Sequence, residues 1–500
     1  MTASAVIVGD MEQLSALDAG FLEAEDADPH ISLAIGGIAI LDGPVEPQDV
    51  LVASLTDRLA AIPRFTQVLR VHTLKYKAPQ WETDPNFDIL RHVRRVAVPA
   101  PGDDGALFDL AADIMAHRLD REHPLWECWI IEGLEHDRWA ILMKLHHCIA
   151  DGIAATNTLA ALFDDGSAAT FADQIHGAGP AHDTLQCNDK DPYPVRLLRS
   201  AWQTTTGLPR QLIRAGSGAL WLTAEIVRPS KSSLTGPLGS LRRYRAVRVP
   251  LPDIEQICAA FEVTVNDVAL AAVTDGFRSV LLSRHESPGQ APIRSLVPIS
   301  TRRLDALGSI DNRVSAMLAH LPVDIDDPVL RLAEVHRRLS VGKHGGQPQA
   351  TAMLMQVSRF VPFALSGWLV RLLTAMPQRG VVTLTTNVPG PRDRHTLNGH
   401  TVQHLLPMPP IGLGLRTGVA MLTYADELAF GVTADWDTSP DLDLFTTRLQ
   451  RAIDHLVAAS HLATIPTDVT KRYVTDRRRR SAAHRRPSPP ASNTGKGTRG

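Results

Sequence analysis

Residues 145–152 read Leu145-His146-His147-Cys148-Ile149-Ala150-Asp151-Gly152, directly after the alternating stretch Trp139 to Leu145. Alternation in period two marks a half-buried strand, and it sets Met143, Leu145 and His147 on one face with Leu142, Lys144 and His146 on the other. The two adjacent imidazoles are therefore expected to point in opposite directions, so that only one of them faces a given cavity. Asp151 and Gly152 stand where the strand gives way to the helical pattern of Ile153 to Phe163, a place where Asp caps a helix and Gly permits a tight turn. The segment is the first candidate for chemistry in a mixed α/β chain.

A histidine at a strand end facing a cleft suits general base work, because its ordinary pKa of about 6.5 leaves it largely neutral near pH 7. Asp151 would fix the local backbone or an imidazole tautomer. Two other readings stand beside this one. Metal ligation by His146, His147 and Asp151 is opposed by the divergent side chains and by the lack of a third clustered His or Cys, so no metal is expected. The plainer alternative is a pair of satisfied core histidines.

Outward from this stretch, Ile31 to Leu41 is β-rich and Pro47 to Ile62 has helical spacing. Residues 1–165 thus read as one α/β half. Residues 166–243, punctuated by Gly, Ser, Thr, Asp and Pro with basic amphipathic pieces at Val195 to Gln203 and Leu212 to Ile226, read as a crossover or lid. A second α/β half spans 244–465. It has strands expected at Arg245 to Val249, Arg294 to Pro298, Val314 to Val323, Val381 to Thr386, Gly418 to Tyr424 and Glu427 to Thr433, and helices at Pro252 to Phe261, Asn266 to Ser283 and Leu442 to Ala458. Residues 466–500 lack apolar period and read as a disordered basic tail.

Charge sharpens that division. The net charge of the 500 residues is -3, yet residues 471–500 hold 10 Lys and Arg against one acid, Asp476, leaving a net of -12 before them. Cys128, Cys148, Cys187 and Cys258 form no CxxC pair, which excludes a zinc ribbon and fits a reducing compartment. Ala5 to Val8 has neither the basic flank nor the length of a signal peptide, so a cytoplasmic place is expected. The most apolar run, Phe360 to Val370, has eleven uncharged residues, whereas a membrane span needs about 20. It reads as a buried core helix or an interfacial one.

Several motifs now combine. HHCIADG resembles the HHxxxDG motif of the bacterial wax ester synthase/acyl-CoA:diacylglycerol acyltransferases. Leu14-Ser15-Ala16-Leu17-Asp18, Pro124-Leu125-Trp126-Glu127, Asn266-Asp267 and Asn387-Val388-Pro389-Gly390-Pro391 resemble further stretches of that family, in its order. Gly431 to Asp435 with Pro440-Asp441-Leu442 resembles its C-terminal pattern. The similarity covers about residues 11–460. It implies a fold of two chloramphenicol-acetyltransferase-like halves, with mixed sheets flanked by helices and a channel between them.

The same resemblance implies an O-acyltransferase in which His147, the second histidine, takes the proton of an acceptor hydroxyl as its oxygen attacks an acyl-CoA thioester. His146 would support it and Asp151 would be structural. No GxSxG motif is present, consistent with direct transfer and no acyl-enzyme. Asn266, Gly152 and Trp126 are the candidate substrate-binding residues. For Asn266 the alternative is that Thr264, Asn266 or Asp267 caps the following helix, and for Trp126 that it packs in the core or a channel wall. Cys148 as nucleophile is a minor reading. No cofactor is expected, since acyl-CoA is a substrate. The expected partners are long-chain acyl-CoA with diacylglycerol, or with a long-chain alcohol. A further expectation is peripheral attachment to the inner membrane face or to lipid bodies. An idle lipid-body-binding protein is the reading from another class, and nucleic acid is not an expected partner because no aromatic interleaving accompanies the basic tail.

Overall fold

The computed structural model describes residues 14, 16–59, 62–71, 79–149, 159, 161–164, 232–300, 314–344 and 380–463. Asp151, Gly152, Cys187, the amphipathic pieces of the crossover, the run 360–370 and the basic tail lie outside the described residues. In chain order the strands of the first part are β1 (Ala34–Asp42), β2 (Gln67–Arg70), β3 (Gln80–Thr83), β4 (Val93–Ala97), β5 (Trp126–Leu134) and β6 (Arg138–His146). Those after the crossover are β7 (Arg242–Pro250), β8 (Ile293–Ser300), β9 (Val314–Leu321), β10 (Thr383–Pro389), β11 (Thr396–Leu397), β12 (His400–Met408), β13 (Thr417–Tyr424) and β14 (Glu427–Asp435). The α-helices are α1 (Ala16–Ala27), α2 (Gln48–Leu59), α3 (Asp104–Ala116), α4 (Leu251–Phe261), α5 (Val265–Ser283), α6 (Pro328–His344) and α7 (Leu442–Ala463).

Two six-stranded sheets organise these elements, in the orders β11-β12-β1-β6-β5-β4 and β7-β14-β13-β10-β8-β9. The expected α/β class holds, with parallel pairs (β4 with β5, β10 with β13 and β8) set among antiparallel ones. β6 is flanked on both sides. It runs antiparallel to β1, with Ala34 opposite His146, and antiparallel to β5, with Trp126 opposite Leu145. A strand buried on both faces is mostly apolar, as Trp139, Ala140, Ile141, Leu142 and Met143 are.

The sheets do not follow the chain as two contiguous halves. β12 lies beyond the crossover in sequence but pairs with β1 in the first sheet, where Val402, Leu405, Leu406 and Met408 join the first core. Its far side meets the second sheet closely. Tyr244 on β7 donates its hydroxyl to Pro407 O at 3.0 Å, and a Cβ added at Gly431 of β14 would fall 1.7 Å from that same carbonyl oxygen. Gly431 is therefore required by backbone approach.

The second core gathers around α5, whose residues 267–277 are buried on every side. Phe277 meets Phe445 of α7 edge-on with ring centroids 4.9 Å apart, and Gly276 leaves room for the same ring. α5 is thus an internal helix. Its burial fixes where its first turn, carrying Asn266, can stand.

Candidate active site

β6 ends at His146, and residues 147–149 form a turn in which Ile149 N–H donates to His146 O at 2.9 Å. Strand alternation therefore stops governing direction at His147, one residue sooner than the sequence pattern suggests. The turn is held on both sides. His146 N–H donates to Leu125 O at 3.0 Å and His147 N–H to Leu33 O at 3.2 Å.

The two imidazoles have unlike surroundings. His146 is 1% exposed. Its Nδ1 accepts from Cys148 N–H at 3.1 Å, which places the ring proton on Nε2, 3.4 Å from Glu25 Oε2. His147 is only partly exposed and stacks on Phe21, with centroids 4.2 Å apart and planes 28° from parallel. Burial pushes the His147 pKa down to about 4, and His146 alongside acts in the same direction. His147 is thus neutral at pH 7, the form in which an imidazole acts as a general base.

Behind His146 sits a carboxylate that the sequence reading did not single out. Glu25 is 2% exposed, and its Oε1 accepts from Leu33 N–H at 2.7 Å while Arg121 Nη2 donates to Oε2 at 3.0 Å. Burial alone would raise its pKa, but His146 alongside and the bonds from Leu33 and Arg121 prevail and hold it at about 2. Arg121 also donates to Leu22 O and Asp26 Oδ1, which fastens α1 beside the turn.

A second polar pair lies in the other sheet. Thr264 caps α5 and Asp267 closes a capping box with it, Thr264 N–H donating to Asp267 Oδ2 at 2.8 Å. His336 of α6 approaches the same carboxylate oxygen at 2.8 Å. Capping is thus done by Thr264 and Asp267, and the Asn266 amide has another partner: its Oδ1 accepts from Asn387 Nδ2 at 2.7 Å. Asn387 Oδ1 is buried and has no hydrogen-bond partner among the described residues.

Comparison with known proteins places this arrangement. The chain matches the wax ester synthase/diacylglycerol acyltransferase catalytic domain over residues 14–269 and the C-terminal domain of the same enzymes over residues 310–457. The chain belongs to this family. It is 48% identical over 451 residues, 90% of this chain and 96% of the relative, to proteins of Mycobacterium bovis and Mycobacterium tuberculosis named as diacylglycerol O-acyltransferases. A further Mycobacterium tuberculosis protein of that name is 40% identical over 486 residues, 96% of this chain and 99% of the relative. Among solved structures, the wax ester synthase/diacylglycerol acyltransferase from Marinobacter aquaeolei VT8 matches with a TM-score of 0.63 at 23% identity, covering 90% of this chain and 100% of that one. The first condensation domain of the CDA synthetase matches with a TM-score of 0.57 at 16% identity, covering 93% and 98%. These two likenesses show the fold, that of the chloramphenicol-acetyltransferase-like proteins.

In this wax ester synthase/diacylglycerol acyltransferase, an O-acyltransferase, the expected site residues fall into four groups, of which Trp126 is the last. His146 and His147 stand together at the end of β6. Asn266 stands with Asn387 at the start of α5 and on β10, and the sequence reading took residues 387–391 as a family stretch and did not single out the amide. Asp151 and Gly152 lie outside the described residues.

Trp126, expected at the substrate, is instead fully buried. Its indole N–H donates to Phe65 O at 2.9 Å, and its ring stacks between Phe65 and His92 at 4.8 and 4.5 Å. A side chain with no exposed face packs rather than binds, and it contributes about 2–3 kcal/mol of apolar burial to the first core. Cys148 is also buried, and burial pushes its thiol well above the usual range, which removes it as a nucleophile.

Proposed function

We propose that this enzyme transfers a long-chain acyl group from an acyl-CoA thioester to the free hydroxyl of diacylglycerol, making triacylglycerol. His147 takes the hydroxyl proton as the oxygen attacks the thioester carbonyl carbon. The tetrahedral intermediate collapses with cleavage of the carbon–sulfur bond, and the proton on His147 passes to the departing CoA thiolate. Every proton is accounted for by one imidazole and no cofactor enters. The observation that carries the reading is the place of the His147 ring, partly exposed at the end of β6 on a turn held by hydrogen bonds on both sides.

His146 supports the turn through its own Nδ1, Asp151 serves the local architecture, and Asn266 with Asn387 holds the acceptor or the oxyanion. A burial that disfavours imidazolium does not defeat the base. The cation exists only while the oxyanion forms, and the two charges offset each other. Diacylglycerol is favoured as acceptor by the names of the relatives at 48% identity. A long-chain alcohol is the second reading, because the matched family carries both activities in its name.

The acceptor is tested by supplying the purified full chain with palmitoyl-CoA and, in parallel, diacylglycerol, hexadecanol and a short alcohol. Triacylglycerol should form fastest, and faster wax ester formation would reverse the assignment. We also place the enzyme peripherally on anionic membrane or lipid-body surfaces of the cytoplasm, on the strength of the basic tail, at about 1 kcal/mol per Lys or Arg near such a surface. Deleting residues 471–500 should weaken binding to anionic vesicles while leaving turnover intact, and unchanged binding would remove the tail from this role.

A further inference from the structure

Helix α1 presents Phe21 and Glu25 four residues apart, a spacing that puts both on one face. Phe21 lies against the His147 ring, and Glu25 reaches His146 and Leu33. We propose that this face of α1 positions the histidine pair, Phe21 by fixing the plane of the His147 ring and Glu25 by anchoring the two peptide N–H groups around it. The inference rests on His147 being the base, and it adds two positioning residues, neither of which touches a reacting atom.

The geometry for Glu25 is a double tether. Along one arm the carboxylate accepts from Leu33 N–H, and Leu33 O accepts from His147 N–H. Along the other it faces His146 Nε2, and His146 Nδ1 accepts from Cys148 N–H. The amide of His147 and the amide that follows it are both tied back to one buried side chain. Two donors, Leu33 N–H and Arg121 Nη2, bond to Glu25, and His146 Nε2 stands 3.4 Å from Oε2. That makes an acceptor-only group necessary. Because each carboxylate oxygen already accepts a bond, Oε1 from Leu33 and Oε2 from Arg121, a glutamine would turn its NH₂ toward one of those donors and break that arm.

Phe21 acts on the ring directly. A stacked arene shields one face from water and leaves the ring edge as the route for protons. The ionisable groups around this corner are His146 and Cys148 on the turn, Asp18 and Glu25 on α1, and Arg121 opposite Glu25. Removing the Phe21 ring admits water to His147, so its pKa should rise toward the ordinary value of about 6.5. Activity needs the neutral ring, and it is lost as pH falls through that pKa.

The test measures kcat and KM of the full chain with palmitoyl-CoA and diacylglycerol between about pH 5 and 8, for wild type, Phe21→Ala, Phe21→Tyr, Glu25→Gln and His147→Ala. Wild-type kcat/KM should be flat across the range. In Phe21→Ala it should fall below about pH 6, with kcat down roughly tenfold and KM within about threefold, and Phe21→Tyr should restore the flat profile. Glu25→Gln should lower kcat about tenfold or more at unchanged KM. If Glu25→Gln does not fold, the half-buried Phe21 pair decides alone. A higher KM at constant kcat in Phe21→Ala would make Phe21 a substrate contact and overturn the proposal, as would wild-type kcat and pH profile in both variants. Those outcomes with an inactive His147→Ala leave the base in place and remove only the positioning role. An active His147→Ala removes the base itself.

Discussion

The corner at the end of β6 and the corner where α5 meets β10 are both polar sites set against apolar cores, and they are held by opposite means. At the first, a buried carboxylate accepts from Leu33 and Arg121, with His146 Nε2 at 3.4 Å. At the second, two uncharged amides hold each other, Asn387 donating to Asn266, and one buried carbonyl oxygen has no partner among the described residues. A charge in a low-dielectric place forces its neighbours into one arrangement, because each donor lost leaves it unpaired. A neutral amide pair is less demanding, and its spare acceptor can serve a ligand hydroxyl.

The contrast can be broken first at His147. Its folded pKa of about 4 lies below the ordinary value. As pH falls below about 6.5 the unfolded chain takes up a proton that the folded chain refuses, so stability drops until about pH 4. That ring should cost the fold about 3 kcal/mol between pH 7 and pH 4. Urea midpoints measured across this range should decline in the wild type and decline much less in His147→Phe. Equal slopes would mean that the ring is not dry.

A smaller effect tests the amide corner. Asn266→Asp keeps an acceptor facing Asn387 Nδ2 and should leave the urea midpoint within about 0.5 kcal/mol of wild type, whereas Asn387→Asp sets oxygen against oxygen and should cost about 2 kcal/mol. The reverse order would show that the pair is wired the other way. The smallest effect belongs to Cys148. Its protonated, buried thiol takes no part in transfer, so Cys148→Ala should keep kcat within about threefold, and inactivation of the wild type by iodoacetamide at pH 7 would contradict this.

What could be read in the sequence was what is local. β6 announced itself because Trp139 to Leu145 is apolar apart from Lys144, and α5 because Asn266 to Ser283 is apolar at helical spacing. Both signals live within one element. β12 gave no such signal: His400 to Met408 alternates poorly and contains Pro407, and its place beside β1 is fixed by pairing with residues more than 350 positions away. Glu25 was hidden differently. It sits in the run Glu23-Ala24-Glu25-Asp26, which reads as a solvated acidic face, and its partner Arg121 is 96 residues on. The usable clue was an aromatic and an acid at i and i+4, Phe21 and Glu25, ahead of a strand. Trp126 misled for a related reason. Its indole N–H finds Phe65 O inside the core, so a residue with a polar handle needed no substrate to satisfy it.

The most direct test is kcat of purified, full-length His147→Ala with palmitoyl-CoA and diacylglycerol, measured beside its urea midpoint. General base catalysis by this ring predicts a fall of about a hundredfold or more in a variant that still folds. A folded variant that keeps more than about a tenth of wild-type kcat would contradict it.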